Sequence, residues 1–388
     1  DPAKAASFPK DMVISEYTAP RWSKDGARVI VGLKEQDAEK PASTDPQANV
    51  DVYHWKDDDP QSVQIVQLAQ LRRATKAAVL DVSAGTLRQI ADEEMKTITP
   101  TDDLAWAVGR IDTPYAGQIE WGATKADFHR VNLATGERTL IERALSRTMG
   151  LSPDGKWFLY LKAGRVYSYQ LATGTKTVID GGRSFVNAED DHDYEKPVYG
   201  TAGFTSDGKS ALLYDRYDVW ALPLAGGQPV CLTKGEGAKE GVRYRVVQLG
   251  RGGAGARGGG GQRGGGPQEP IDLAKPLLLS TFGEWTKKSG YSELQAGQSP
   301  SSLLWLDKSV GAPTAAKNAD RLIFAAQTFN EYPNYWVADK RLASPRRVTD
   351  AMPEIFKDFA WGSKKLIDYK NSKGVRLQGT LTLPAGYE

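Results

Sequence analysis

Short apolar segments alternate with polar turns along most of this chain, and one turn shape keeps returning. Four segments share it: DVSAGTLRQI from Asp81, NLATGERTLI from Asn132, QLATGTKTVI from Gln170 and PLAGGQPVCL from Pro223. Each passes from a short apolar segment through small residues ending in Gly and into polar–apolar alternation. That is the pattern of a β-hairpin with Gly at the φ > 0 position of the turn. The turn glycines Gly85, Gly136, Gly174 and Gly227 lie 51, 38 and 53 residues apart. A second element precedes several of these hairpins: WSKDGARVIVGL at Trp22, LSPDGKWFLYL at Leu151 and FTSDGKSALLY at Phe204. Here Ser, Asp and Gly make a tight turn, and the run that follows is rich in aromatic and β-branched residues, as a strand should be. A third element is an aromatic residue in the strand leading to the hairpin: Tyr167, Trp220, Trp305 and Trp336. These are expected to pack between sheets.

Turn, strand, turn, strand at a spacing of about 40–50 residues is the signature of stacked four-stranded blades. A β-sandwich also has many short strands, but not the same turns at a recurring distance. The expected fold is therefore all-β, a β-propeller of four-stranded blades occupying residues 1–350. Five or six blades are expected, at roughly 15–92, 93–145, 146–185, 198–242, 243–316 and 317–350. The first matches the repeat poorly and the fifth is swollen. Two insertions interrupt the pattern: the polar, Asp- and Pro-rich segment 36–62 and a Gly-rich segment within 250–270.

Charge removes several partner classes. Lys+Arg 50 against Asp+Glu 48 leaves a net charge of +2 over 388 residues. No global field marks a nucleic-acid or membrane-surface protein. The Gly-rich segment carries three arginines but no interleaved aromatics for base stacking. It also lacks the Gly-Lys-Ser/Thr ending of a phosphate loop. It is expected to be a flexible surface insertion, and no nucleic-acid partner is expected. No run of about 18 apolar residues is present to span a membrane. The start, DPAKAASFPKDM, lacks the basic-then-apolar pattern of a signal peptide, as a mature or internal start would too. The single cysteine, Cys231, excludes an internal disulfide.

Candidate chemistry is sparse. Gly-x-Ser-x-Gly, the strained turn that exposes a nucleophilic serine, is approached by GKSAL at Gly208, GYSEL at Gly290 and GQSPS at Gly297, and each lacks the final glycine. The three histidines, His54, His129 and His192, read as structural. No catalytic residue, metal site or cofactor is expected: zinc spacings and a dinucleotide fingerprint are both missing. The densest polar cluster is NAEDDHDYEKPVYG, holding Glu189, Asp190, Asp191, His192, Asp193 and Glu195. Successive residues of an extended segment point to opposite faces, so spacing alone does not make them converge on a cation. A solvated loop, contacts with a neighbouring domain, or contacts with a charged peptide terminus all remain open.

Several strings resemble the prolyl oligopeptidase family of serine peptidases. One runs from Asp190 to Gly237 and includes DDHDYEKP and YDRYDVW; another is NYWVADKRLASPRRVTDAMPEI from Asn334. The third, FAWGSKKLIDYKNSKGVRLQGTLTLPAGYE from Phe359, is similar to the family's crossover out of its propeller, with Lys373 where Asp is usual. The resemblance implies an N-terminal propeller capping an α/β-hydrolase domain, with residues 351–388 forming the crossover and a hairpin that starts that domain. The nucleophile, acid and base would then lie beyond LPAGYE, so this chain would hold no catalytic triad. Its partners would be its own C-terminal hydrolase domain and a peptide substrate admitted by size. Some members pair propeller carboxylates with the substrate's amino terminus, and Glu189, Asp190, Asp191 and Asp193 are the residues to which that role would fall. A periplasmic or secreted location follows by analogy with the branch resembled. Two other readings stand beside this one: a stand-alone TolB-like binding propeller without enzymatic activity, and a propeller enzyme with its own central-channel site.

Overall fold

One polar turn is built the same way four times, and it sets the register of the first four sheets. The computed structural model describes residues 7–36, 50, 52–57, 59–116, 124–249 and 269–387. In the turns at Ser23, Thr101, Ser152 and Thr205, the hydroxyl donates to the Asp two residues on, at 2.5, 2.6, 2.6 and 2.6 Å. The same hydroxyl accepts the backbone N–H five residues on, from Arg28, Trp106, Trp157 and Ser210. The loop thereby satisfies its own polar groups and delivers the chain into the next strand. Three of these turns were legible as Asp-Gly. The fourth, TDDLAW, was not, because Leu104 takes the place of glycine at φ 51°. Leu104 is fully buried beside Met95, Val131 and Leu133. Burying a leucine is worth about 1.5–3 kcal/mol, which offsets the roughly 1–2 kcal/mol cost of the left-handed conformation.

Six antiparallel sheets follow one another in chain order, as a β-propeller requires. The first contains Met12–Ile14, Arg28–Glu35, Lys76–Asp81 and Thr86–Gln89, with Arg21–Trp22 also paired to its second strand. The second contains Thr97–Pro100, Trp106–Ile111, Ala126–Asn132 and Arg138–Leu145. The third contains Arg147–Leu151, Trp157–Lys162, Arg165–Gln170 and Lys176–Val178. The fourth runs from Thr201–Phe204 to Val230–Cys231, the fifth from Val242–Val246 to Ser301–Leu306 and the sixth from Ser309–Val310 to Arg346–Arg347. A separate hairpin, Ser363–Lys370 with Arg376–Leu383, ends the described chain. The hairpin glycines behave as their spacing implied: Gly85, Gly136, Gly174 and Gly227 sit at φ 64, 79, 76 and 125°.

Contacts divide the chain into two compact units. One comprises residues 1–180, 188–197 and 224–226, and so the first three sheets; the other comprises 181–187, 198–223 and 227–388. Within the first unit, Phe128, Phe158, Tyr160 and Tyr167 form an aromatic ladder between the second and third sheets, with ring centroids 5.5, 5.9 and 5.2 Å apart. Offset stacking adds to the burial of these large side chains. Within the second unit, Leu212, Tyr214 and Val219 pack with Tyr244 and Leu279, and Tyr291 packs with Phe324 and Ala326. The strand aromatics Tyr167 and Trp336 lie against these cores as expected.

Two helices went unforeseen. Helix α1, Gln61–Arg72, starts at Pro60 and follows the first insertion, of which residues 37–49, 51 and 58 lie outside the described residues. Helix α2, Glu236–Glu240, is held by Asp218, whose carboxylate accepts from Thr233 Oγ1 at 2.6 Å and from the backbone N–H groups of Gly237 and Ala238 at 3.0 Å. The Gly-rich insertion, 250–268, also lies outside the described residues. The stretch directly after it, 269–276, forms no helix; Ile271 pairs in parallel with Thr205 beside the fourth sheet.

Candidate functional site

The acidic loop between the third and fourth sheets is held by a residue that the sequence reading did not single out for a role. Glu195 accepts from the Ser146 hydroxyl, and its second oxygen accepts the Ala163 N–H at 3.1 Å. Its backbone carbonyl accepts Arg147 Nε at 3.4 Å. Arg147 in turn lies over the Tyr194 ring at 5.0 Å, and His192 stacks on the same Tyr194 ring at 5.1 Å and 18°. A charged, an aromatic and an imidazole group thus line up at the base of the loop. Glu195 stood in the same acidic run, but nothing in the spacing distinguished it from its neighbours.

The four carboxylates named from the sequence take different positions. Asp190 is mostly covered and accepts from His192, through Nδ1 at 2.9 Å and the backbone N–H at 3.2 Å. The bond from His192 holds the Asp190 carboxyl below its ordinary range. Asp191 is 99% exposed, 3.9 Å from the same imidazole. Glu189 and Asp193 are exposed. The loop therefore gathers Asp190 and Asp191 around His192, and it leaves an acidic outer face. Among the described residues, no three His, Cys, Asp or Glu side chains converge as metal ligands.

Beside the loop, and joined to it through Ser146, is a cavity of about 320 Å³ between the second and third sheets. Thr97, Thr99 and Thr148 line it with hydroxyls, Phe128 and Phe158 with aromatic faces, and Arg110 with a guanidinium. Register explains the grouping: Thr97 pairs with Arg110, which pairs with Phe128, so the three side chains share one sheet face. Arg110 is paired to Asp112 at 2.5 Å and a third exposed. Apolar walls with a few placed polar groups are the make-up of a small-ligand or peptide-segment site.

His129 lies in its strand with Nδ1 buried and unpartnered, and burial pushes its pKa down. His54 is exposed near Trp55. Among the described residues no histidine is hydrogen-bonded to a serine, threonine or cysteine side chain, the pairing that activates such a nucleophile.

The terminal hairpin, part of the second unit, is tied to the fifth sheet's Trp285 near its turn. Gln378 Nε2 donates to the Trp285 carbonyl at 2.6 Å, and the Arg376 guanidinium lies 4.2 Å over the Trp285 ring. Phe356 and Trp361 pack at 5.1 Å just before its first strand. All eight residues of that strand are nevertheless exposed.

No family model and no curated protein matches the chain. Among solved structures it is similar to dipeptidyl peptidase 4 of Porphyromonas gingivalis, with a TM-score of 0.51 at 10% identity, over 95% of this chain and 51% of that one. It is also similar to the acylaminoacyl peptidase of Pyrococcus horikoshii, TM-score 0.35 at 13% identity, over 97% and 51%. TolB from Acinetobacter baumannii matches at TM-score 0.30 and 14% identity, over 69% and 58%. The chain spans about half the length of the peptidases it matches. At 10% identity the first likeness shows a shared fold, that of a peptidase's propeller portion.

Proposed function

We propose that this chain is the propeller domain of a prolyl-oligopeptidase-like serine peptidase, acting by admitting peptides to an α/β-hydrolase domain that supplies the chemistry. The observation that carries the reading is the terminal hairpin. It is anchored at Trp285, yet it leaves Leu366, Ile367, Tyr369, Leu377 and Leu381 in solvent. An exposed apolar two-stranded element is marginal alone and calls for a covering layer. The crossover that these residues resemble supplies one: the hydrolase domain that the hairpin would begin. Specificity by access follows, since a lid that excludes folded proteins selects short peptides irrespective of pocket chemistry. The acidic loop with Glu189, Asp190, Asp191 and Asp193 would pair with a substrate's free amino terminus, and the neighbouring cavity would take the apolar part of the peptide. A periplasmic location fits the branch resembled.

The test is to express the gene's complete product and treat it with a fluorophosphonate. A labelled serine within a Gly-x-Ser-x-Gly about 100–150 residues after Glu388, with hydrolysis of short peptides but not of folded proteins, supports the reading. A stop codon soon after Glu388, or a complete product with no reactive serine, overturns it and leaves a binding propeller as the better account.

A further inference from the structure

Local departures from regular pairing shape the cavity between the second and third sheets. Strand Arg147–Leu151 bulges between Thr148 and Gly150, and strand Ala126–Asn132 shifts register on both sides of Phe128. Thr148, Gly150 and Phe128 all line the cavity. Gly150 takes φ 87°, and a Cβ built there would meet nothing within 4 Å. Ala144, next to the lining residue Leu145, sits at φ 52° while its N–H donates to Asp127 at 2.9 Å. Bulges beside a site re-aim side chains, and backbone strain of this kind collects at ligand clamps. The cavity thus combines buried apolar walls from Val108, Leu145 and Phe158 with exposed hydroxyls from Thr97, Thr99 and Thr148.

From this we infer that the cavity is a carboxylate site, taking the C-terminal apolar residue of a peptide. Arg110 decides the chemistry, because among the described residues no other charged side chain lines the cavity. Asp112 takes only its Nη1, at 2.5 Å; among the described residues Nε and Nη2 have no hydrogen-bond partner. Those two groups form the edge of a guanidinium that grips a carboxylate through two parallel bonds. Asp112 already supplies one negative charge, which favours a monoanion here over a doubly charged phosphate. Glu195 stands behind Ser146 with both oxygens engaged, so it does not compete for Arg110. The threonine hydroxyls offer further donors to the carboxylate or to the preceding peptide carbonyl. A volume of about 320 Å³ is at the small end of ligand pockets and suits a single residue. The peptide as source of the carboxylate rests on the reading proposed above; the carboxylate site itself does not.

Isothermal titration of the gene's complete product tests it, with N-acetylleucine as the probe because its blocked amine has no charge for the acidic loop. The expected result is one-site binding with a Kd of about 1 mM. N-acetylleucinamide, which lacks the charge, should bind about tenfold more weakly. Arg110→Gln should weaken N-acetylleucine about tenfold and leave acid and amide nearly equal. Asp112→Asn should tighten the acid about threefold by removing the rival carboxylate, a gain that a merely structural Arg110 would not produce. Thr99→Trp, at an exposed position, should weaken acid and amide alike about tenfold by filling the cavity. Acid and amide bound equally by the parent, or binding indifferent to Arg110→Gln and Thr99→Trp, overturns the site. Octanoate bound more tightly than N-acetylleucine overturns a peptide as the source. Fluorophosphonate labelling reads the peptidase separately: an unlabelled product that still binds N-acetylleucine through Arg110 keeps the site and loses the peptidase.

Discussion

The Ser146 hydroxyl donates to the Glu195 carboxylate across 49 residues of sequence, pinning the acidic loop to the start of the third sheet. The loop's position thus depends on a residue behind its acidic face and not on the carboxylates that face solvent. Glu195→Ala should release the loop while leaving the sheets intact. Hydrogen exchange across 188–197 should accelerate at least tenfold, with protection in Trp157–Lys162 unchanged. Equal protection in the variant would mean that the Tyr194 stack alone holds the loop.

The repeated turns make a matched pair of glycine variants informative. Gly26 and Gly155 have nearly the same backbone, φ 71 and 69°, but differ in surroundings. A Cβ on Gly26 meets nothing within 4 Å, whereas one on Gly155 meets Thr101 Cβ and Cγ2 at 2.9 Å. Gly26→Ala should cost about 1 kcal/mol, the left-handed penalty alone. Gly155→Ala should cost about 1–2 kcal/mol more, because Thr101 is buried and held by its own turn. Chemical denaturation of both variants gives the difference; equal losses would show that the Thr101 side chain yields freely.

Arg165 grips Asp180 with two parallel bonds, Nε and Nη2 each at 2.6 Å, and Asp180 also accepts the Val166 N–H at 3.1 Å. Asp180 is fully buried and Arg165 half-exposed. Asp180→Ala leaves a buried N–H unpaired and should cost about 2–3 kcal/mol. Arg165→Ala should cost more than an exposed ion pair, again by stranding Asp180. If urea unfolding shows either change to be within about 0.5 kcal/mol, the pair is not a determinant of stability.

Stability should fall with acid in a defined direction. The Ser23 hydroxyl holds the Asp25 carboxyl below its ordinary range, and Thr205 does the same to Asp207. A carboxyl whose native pKa is depressed binds fewer protons folded than unfolded, so its contribution is complete above the unfolded value of about 4. It is then lost as pH drops through the lower native values. The urea midpoint should decline from pH 5 toward pH 2, and the Asp25→Asn/Asp207→Asn double variant should flatten that decline. An identical pH slope in parent and double variant would assign the acid sensitivity to other carboxylates.

The sequence by itself determined the fold class, a propeller of five or six four-stranded blades, and most of the turns within them. That information is local: a glycine that must take φ > 0, or a Ser-x-Asp turn that bonds within five residues, is written where it acts. The turn at Thr101 escaped because its constraint is tertiary, Leu104 tolerating a left-handed backbone only where the core pays in buried area. Helix α1 escaped for a different reason. Its apolar side chains Ile65, Val66, Leu68 and Leu71 are exposed and spread around the helix, so no periodic pattern marks it. The acidic run was visible, but which member would anchor it was not: Glu195 is chosen by Ser146, Arg147 and Ala163, which reach it only after the third sheet has formed. The cavity at Arg110 is likewise a product of strand register. Thr97 and Phe128 come to share a face with it through pairing across three strands, a relation that no spacing along the chain records.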